Sequence, residues 1–276
     1  MTARLPFGPT WIVGCGNMAG AMVVGWRSAG VDLSRAIVIR PSGTPVEGVS
    51  TVRSLGEAGR PPELVLLGFK PQQLDAVAPE LARSVGAQTV IVSILAGVEH
   101  ASLKARFPAA RAIVRAMPNL PVEVRRGIVA LHSEDADAPT RETLGELFRA
   151  LGMAIWCASL EAYGGVGGIS GTGPAYVARF IEALADAGVA RGLDPGLALT
   201  VARETVFGTA WMAAASGEPM DAIVARVRSP NGTTAAGLAV LEADLPGLIG
   251  RTMDAAAARS RELAEAARIA SGPPLS

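Results

Sequence analysis

Apolar residues in the first half of the chain gather in short unbroken runs. Trp11–Val13, Ala36–Ile39 (AIVI), Leu64–Phe69 (LVLLGF) and Val90–Leu95 (VIVSIL) are such runs, bounded by polar or Pro/Gly stretches. Ala112–Arg115 and Gly127–Leu131 read as two further strands. Runs without an alternating polar face mark strands buried on both sides, and the helix-length intervals between them predict a parallel sheet. Asn17–Ala29 has helical spacing and stops at Gly30. Thr140–Leu151 sets Leu144, Leu147, Phe148 and Leu151 on one stripe, an amphipathic helix. An open α/β sheet is the simplest arrangement that buries all of this.

After about residue 160 the pattern changes. Gly164–Gly173 holds six glycines in ten positions, which reads as a linker. Beyond it, Pro174–Arg191, Asp194–Ser216, Met220–Val227 and Leu245–Arg268 are predicted helices, rich in Ala, Leu, Val and Arg. Pro195 follows Asp194 at a helix start, and Gly192 and Gly217 fall at helix ends. These positions predict a domain over residues 1–160 and an all-α domain over 161–276, with Gly272-Pro273-Pro274 as a frayed tail. The helices carry more apolar surface than their own packing can bury, which predicts a helical dimer interface.

Composition narrows the chemistry. In 276 residues, 25 Lys+Arg balance 25 Asp+Glu. That balance provides no basic field for nucleic acid and no polybasic membrane patch. The apolar stretch Trp11–Trp26 is broken by Gly14, Gly16, Gly20 and Gly25 and reads neither as a signal peptide nor as a membrane span. A soluble, cytoplasmic protein is the expectation. Cys15 and Cys157 make no disulfide framework, and His100 and His132 stand apart from any metal-ligand spacing, so no metal is expected. Lysine is confined to Lys70 and Lys104.

Gly14-Cys15-Gly16-Asn17-Met18-Ala19 follows a strand and opens a helix, the setting of a dinucleotide fingerprint in a Rossmann-like domain. The first glycine permits the turn, the second admits a pyrophosphate to the backbone, and Ala19 lets helix and strand pack. Free N–H groups and the positive helix end then face the phosphates. An NAD site usually places Asp or Glu at the end of the second strand. Here the strand runs into Arg40-Pro41-Ser42-Gly43, with no carboxylate before Glu47. Arg40 and Ser42 suit a 2′-phosphate, so NADPH is expected over NADH.

Phe69-Lys70-Pro71-Gln72, Ser93-Ile94-Leu95-Ala96-Gly97 and Arg115-Ala116-Met117-Pro118-Asn119 follow later strands at the carboxyl edge, where open α/β sheets bind ligands. Ser170-Gly-Thr-Gly-Pro-Ala-Tyr176 and Ser229-Pro-Asn-Gly-Thr-Thr234 read as hydroxyl-bearing turns at helix N-termini, each suited to a carboxylate or serving simply as a cap. Taken in order along the chain, these segments resemble the pyrroline-5-carboxylate reductase family.

The resemblance implies a nicotinamide-binding domain followed by a helical domain that interlocks with its partner in a homodimer, with dimers able to assemble further. It also implies NADPH-dependent reduction of the cyclic imine 1-pyrroline-5-carboxylate to L-proline, the last step of proline biosynthesis. Matched by position, Val13, Gly14, Cys15, Gly16, Asn17 and Met18 would line the pyrophosphate. Phe69, Lys70, Pro71, Leu95 and Ala96 would line the cofactor cleft, with Asn119 on the nicotinamide side. Ser229, Gly232, Thr233 and Thr234, with Ser170 and Gly171, would hold the substrate, and Thr234 would hydrogen-bond the ring nitrogen as the catalytic residue. The interlocked helices imply that the substrate turn can complete a neighbouring subunit's site.

Two departures stand out. The family's SPGGTT is SPNGTT here, placing Asn231 at a glycine position, a residue type that tolerates left-handed backbone. Glu161 is the only acidic residue where the family usually shows several before SGTGPAY.

Hydride transfer to a carbonyl leaves an alkoxide that needs a proton donor, often His or Lys, whereas transfer to a protonated imine leaves a neutral amine. The substrate turns contain neither His nor Lys, in keeping with an imine. The rival β-hydroxyacid dehydrogenases place a catalytic Lys on the long helix after a glycine-rich turn, and Pro174–Arg191 has none. A non-catalytic nucleotide sensor is the other alternative, and the two carboxylate-suited turns argue against it.

Overall fold

The computed structural model describes residues 5–270, with side chains as far as Glu262. The Gly272-Pro273-Pro274 tail lies outside the described residues. Strands Thr10–Val13 (β1), Ala36–Ile39 (β2), Ser50–Val52 (β3), Leu64–Leu67 (β4), Val90–Ser93 (β5), Ala112–Pro118 (β6), Gly127–His132 (β7) and Gly152–Trp156 (β8) form one sheet in the order β3-β2-β1-β4-β5-β6-β7-β8. Helices Asn17–Ser28 (α1), Leu74–Leu81 (α2), His100–Arg106 (α3) and Ala138–Arg149 (α4) belong with it. Leu160–Val189 (α5), Pro195–Ser216 (α6), Met220–Val227 (α7) and Thr233–Ala270 (α8) follow.

Alternation in β1 sorts the core. Ile12 joins Met22, Val23, Trp26 and Phe148 under α1 and α4, while Trp11 and Val13 face Leu74, Leu81 and Leu103 under α2 and α3. The Trp26 indole N–H donates to Leu147 O at 2.9 Å, tying α1 to α4. All pairings are parallel except β6 with β7. The parallel sheet expected from the apolar runs is therefore broken at that pair. The link between these strands is one 3₁₀ turn, Leu120–Val124, ended by left-handed Arg125, and it is too short for a crossover helix.

Four elements depart from the sequence pattern. β3 has only Ser-Thr-Val and no apolar run, whereas β8, Gly-Met-Ala-Ile-Trp, is a short apolar run that the strands expected from the sequence leave out, and the two form the edges of the sheet. The glycine-rich stretch, expected as a linker, is helical, because α5 begins at Leu160. Close packing compensates for poor helix propensity there. Met117 lies against Gly167, where any side chain would collide with its thioether, and Tyr163 and Val166 pack on Ala130. α8 starts at Thr233, ahead of the expected Leu245, and takes in Pro246.

The chain divides into two compact units. One holds the chain up to Thr172 together with the chain from Arg259 onward, and the other is Gly173–Ala258. The sequence pattern places a boundary at 160/161, where α5 begins, whereas the units part twelve residues further along that helix. Within Gly173–Ala258 only Ala185, Ala198, Ala202 and Ile223 are buried. Among the described residues no helix is long and apolar enough to cross a membrane.

Candidate active site

Ile39, Val13, Leu67 and Ser93 stand in one row across β2, β1, β4 and β5, so the loops leaving these strands emerge side by side at the carboxyl edge. Gly14 takes φ +77°, and a Cβ there would stand 2.8 Å from the Phe69 nitrogen. Only glycine lets these two loops cross. Gly68 is held in turn between Gly14 O and Ala19, the helix–strand contact that a small third residue permits. A Cβ on Gly16 would meet nothing within 4 Å, so that glycine borders open space. No side chain caps α1 at Gly16, and Gly16 and Asn17 are exposed, so the free N–H groups at the start of this helix have no side-chain partner. The arrangement fits a dinucleotide pyrophosphate. Burial pushes the Cys15 thiol up, against the opposing pull of nearby Arg40, so it stays protonated and unreactive.

At the end of β2, Arg40 O accepts from Gly43 N–H at 2.9 Å and closes a turn. Ser42 Oγ accepts from Thr44 N–H and Oγ1 at 3.3 and 3.0 Å. Glu47, the first carboxylate beyond the strand, is bound to Arg27 at 2.6 Å and is not free for a ribose. The sequence pattern overlooks Arg53, which follows β3. Its Nε and Cζ lie over Gly43, where a Cβ would come within 2.6 and 3.2 Å of them. Only the pairing of β3 with β2 brings it there, and β3 carries no apolar run to announce itself.

Further along the edge, Lys70 is exposed and Pro71 half-buried at the end of β4, and Leu95 is buried beside exposed Ala96 after β5. Asn119 is buried, and both ends of its amide are hydrogen-bonded. Its Oδ1 accepts from Ile128 N–H at 2.7 Å, and its Nδ2 donates to Ser170 O at 3.0 Å. That carbonyl is unbonded within α5 because the residue four positions on is Pro174, which has no N–H. Ser170 and Gly171 are thus interior to α5, not at a helix N-terminus, and their N–H groups belong to the helix. The N-terminal carboxylate site read into SGTGPAY is overturned. What remains there is the Ser170 hydroxyl, buried without a hydrogen-bond partner.

Both histidines have protein partners. His100 Nε2 lies 3.1 Å from Asp135 Oδ1, and His132 Nδ1 lies 3.2 Å from Cys157 O. Tyr163 lies under the Arg115 guanidinium, 4.9 Å from its ring centre, and burial pushes its hydroxyl up to about 12. Glu161 is exposed in the first turn of α5.

The Ser229–Thr234 segment does open a helix. Gly232 N–H donates to Ser229 O at 3.1 Å, Asn231 stands at φ +57°, and α8 begins at Thr233. Any side chain on Gly232 would run into Ser229 Oγ. Ser229 and Thr233 are exposed and Thr234 is half-buried, so the turn presents hydroxyls beside helix N–H groups.

Residues 161–263 match the family model described as pyrroline-5-carboxylate reductase dimerisation, and residues 11–97 match one described as NADP oxidoreductase, coenzyme F420-dependent. The pyrroline-5-carboxylate reductase of Pseudomonas aeruginosa is 35% identical over 275 residues, covering 96% of this chain and 98% of the relative. A pyrroline-5-carboxylate reductase from Coxiella burnetii superposes with a TM-score of 0.85 at 31% identity, over 93% of this chain and 98% of its own. Plasmodium falciparum pyrroline carboxylate reductase, solved with NADP bound, shares the fold with a TM-score of 0.81 at 24% identity, over 96% and 99% of the two chains. With the glycine loop, the Ser229–Thr234 turn and these full-length likenesses together, the chain belongs to the pyrroline-5-carboxylate reductase family.

Proposed function

We propose that this protein reduces 1-pyrroline-5-carboxylate to L-proline with NADPH, as a cytoplasmic homodimer formed through its helical half. The observation that carries this reading is the turn at the head of α8. It offers hydroxyls and N–H groups to a small anion and contains no His or Lys to protonate an alkoxide. Its family membership supports the same chemistry.

The glycine loop and the start of α1 would hold the pyrophosphate of a reduced nicotinamide cofactor, Arg40 and Ser42 its 2′-phosphate, and the segments around Lys70 and Leu95 would line its cleft; bound there, it would supply the hydride. Ser229, Gly232 and Thr233 hold the imino acid carboxylate. Thr234 hydrogen-bonds the ring nitrogen, orients the imine carbon and relays a proton from solvent to that nitrogen. The product is a neutral amine, so orientation rather than strong acid catalysis does most of the work, and orientation can contribute roughly 7 to 11 kcal/mol at its favourable extreme.

A spectrophotometric panel tests this, pairing NADPH and NADH with pyrroline-5-carboxylate, pyrroline-2-carboxylate and a 3-hydroxy acid. NADPH oxidation with pyrroline-5-carboxylate is the expected result, and turnover confined to the hydroxy acid would refute the reading. Thr234→Ala should lower kcat about 10- to 100-fold, the scale of one lost hydrogen bond to a charged group, with the Kd for NADPH unchanged. An unimpaired kcat would remove Thr234 from the mechanism.

A further inference from the structure

We propose that Arg53 is the second cation of a two-guanidinium clamp for the adenosine 2′-phosphate, and that it sets the preference for NADPH over NADH. The proposal rests on the NADPH reading above and deepens it. Ile39 of β2 pairs with Val52 of β3, so Arg40 and Arg53 are the next residues on two neighbouring parallel strands and leave the sheet at the same level. The Arg40 N–H donates to Val52 O at 3.0 Å, which continues the ladder one step and holds the two together.

The guanidinium of Arg53 does not extend into solvent at random. It lies back over the turn after β2, against the α-carbon of Gly43, at a position a side chain on residue 43 would fill. Gly43 has φ +64°, so the turn is both shaped and cleared by glycine. Ser42 and Thr44 flank that glycine, and their hydroxyls already meet at 3.0 Å.

Arg40 and Arg53 are like charges on neighbouring strand ends at one level, an arrangement that is unfavourable unless an anion joins them. Among the described residues, no carboxylate lies within ion-pair distance of either guanidinium. Glu47 is taken by Arg27, and Glu57 turns its oxygens to the Arg53 N–H and the Ser54 hydroxyl. Planar guanidinium forks and hydroxyls match a phosphomonoester, whereas the 2′-hydroxyl of NADH offers no charge to hold.

Calorimetric titration of the intact protein with adenosine 2′,5′-bisphosphate, AMP, NADPH and NADH tests this without turnover. The wild type should bind the bisphosphate and NADPH more tightly than their unphosphorylated counterparts. Arg53→Gln should cut that margin by about tenfold to a hundredfold, the scale of losing charge-assisted hydrogen bonds, while AMP and NADH binding stays within about twofold. Arg40→Gln serves as the comparison. A margin unchanged in Arg53→Gln but lost in Arg40→Gln overturns the role of Arg53 and leaves the NADPH reading standing. An equal loss of NADH binding also overturns it, because Arg53 would then merely hold the turn. A wild type without any margin overturns both.

Discussion

Asn231 carries the left-handed corner of the Ser229–Thr234 turn, at φ +57°, where the family resemblance implies glycine. Asparagine reaches that conformation at lower cost than other side-chain-bearing residues because its short amide hydrogen-bonds locally, so the departure from SPGGTT leaves the corner intact. Gly232 next to it is constrained by space instead, since Ser229 Oγ occupies the place of its missing side chain. Asn231→Gly should therefore keep the KM for pyrroline-5-carboxylate within about twofold. Asn231→Ala should raise it about fivefold, the equivalent of roughly 1 kcal/mol of left-handed strain. Initial-rate kinetics on both variants check this, and equal KM values would show that the corner does not shape the site.

Among the elements, α5 is the one whose sequence argues against its structure. Seven glycines and a proline fall inside thirty helical residues, yet the helix is continuous. The glycines admit Met117 to the helix backbone, and Asn119 replaces the hydrogen bond that Pro174 removes. Asn119→Ala should leave Ser170 O and Ile128 N–H without partners and cost about 2 to 4 kcal/mol. Pro174→Ala should restore an internal donor to Ser170 O, so the double variant should recover about 1 kcal/mol of that loss. Urea unfolding of the four proteins measures the coupling, and strict additivity would mean that Asn119 and Pro174 do not share this carbonyl.

For the whole molecule, the helical half is the part that cannot stand by itself. Its buried set is three alanines and one isoleucine, while Phe207 and Trp211 stack together with 61% and 50% of their surfaces exposed. Phe180, Leu197, Val240 and Leu248 are exposed as well. So much apolar surface on one unit calls for a partner, and a second copy fits the match of residues 161–263 to a dimerisation model. The melting temperature should then rise with protein concentration, by mass action. Sedimentation should show a species of twice 28.2 kDa, and Phe207→Ser with Trp211→Ser should shift it toward monomer with loss of stability. A stable wild-type monomer at micromolar concentration would overturn this.

Much of this architecture was legible from residue order, because its signals are local. Buried strands announce themselves as apolar runs, and the GCGNMA turn, the Asp194-Pro195 helix start and the SPNG turn each depend on neighbours a few positions away. That locality is why the carboxyl-edge loops and the helix-opening turn at Ser229–Thr234 stand where the sequence puts them, although the helix pattern itself begins only at Leu245. The misses share the opposite cause. β3 is a strand only because β2 offers it a ladder, and the reversal at β7 reflects a connection too short to cross over. The helix through Gly164–Gly173 exists because Met117 and Asn119, some fifty residues earlier in the chain, fill and cap it. Arg53 reaches the Arg40–Gly43 turn through a strand pairing that its own sequence does not announce. Propensity and capping are written into adjacent residues, whereas the energy of a contact between distant ones appears only once the chain has folded.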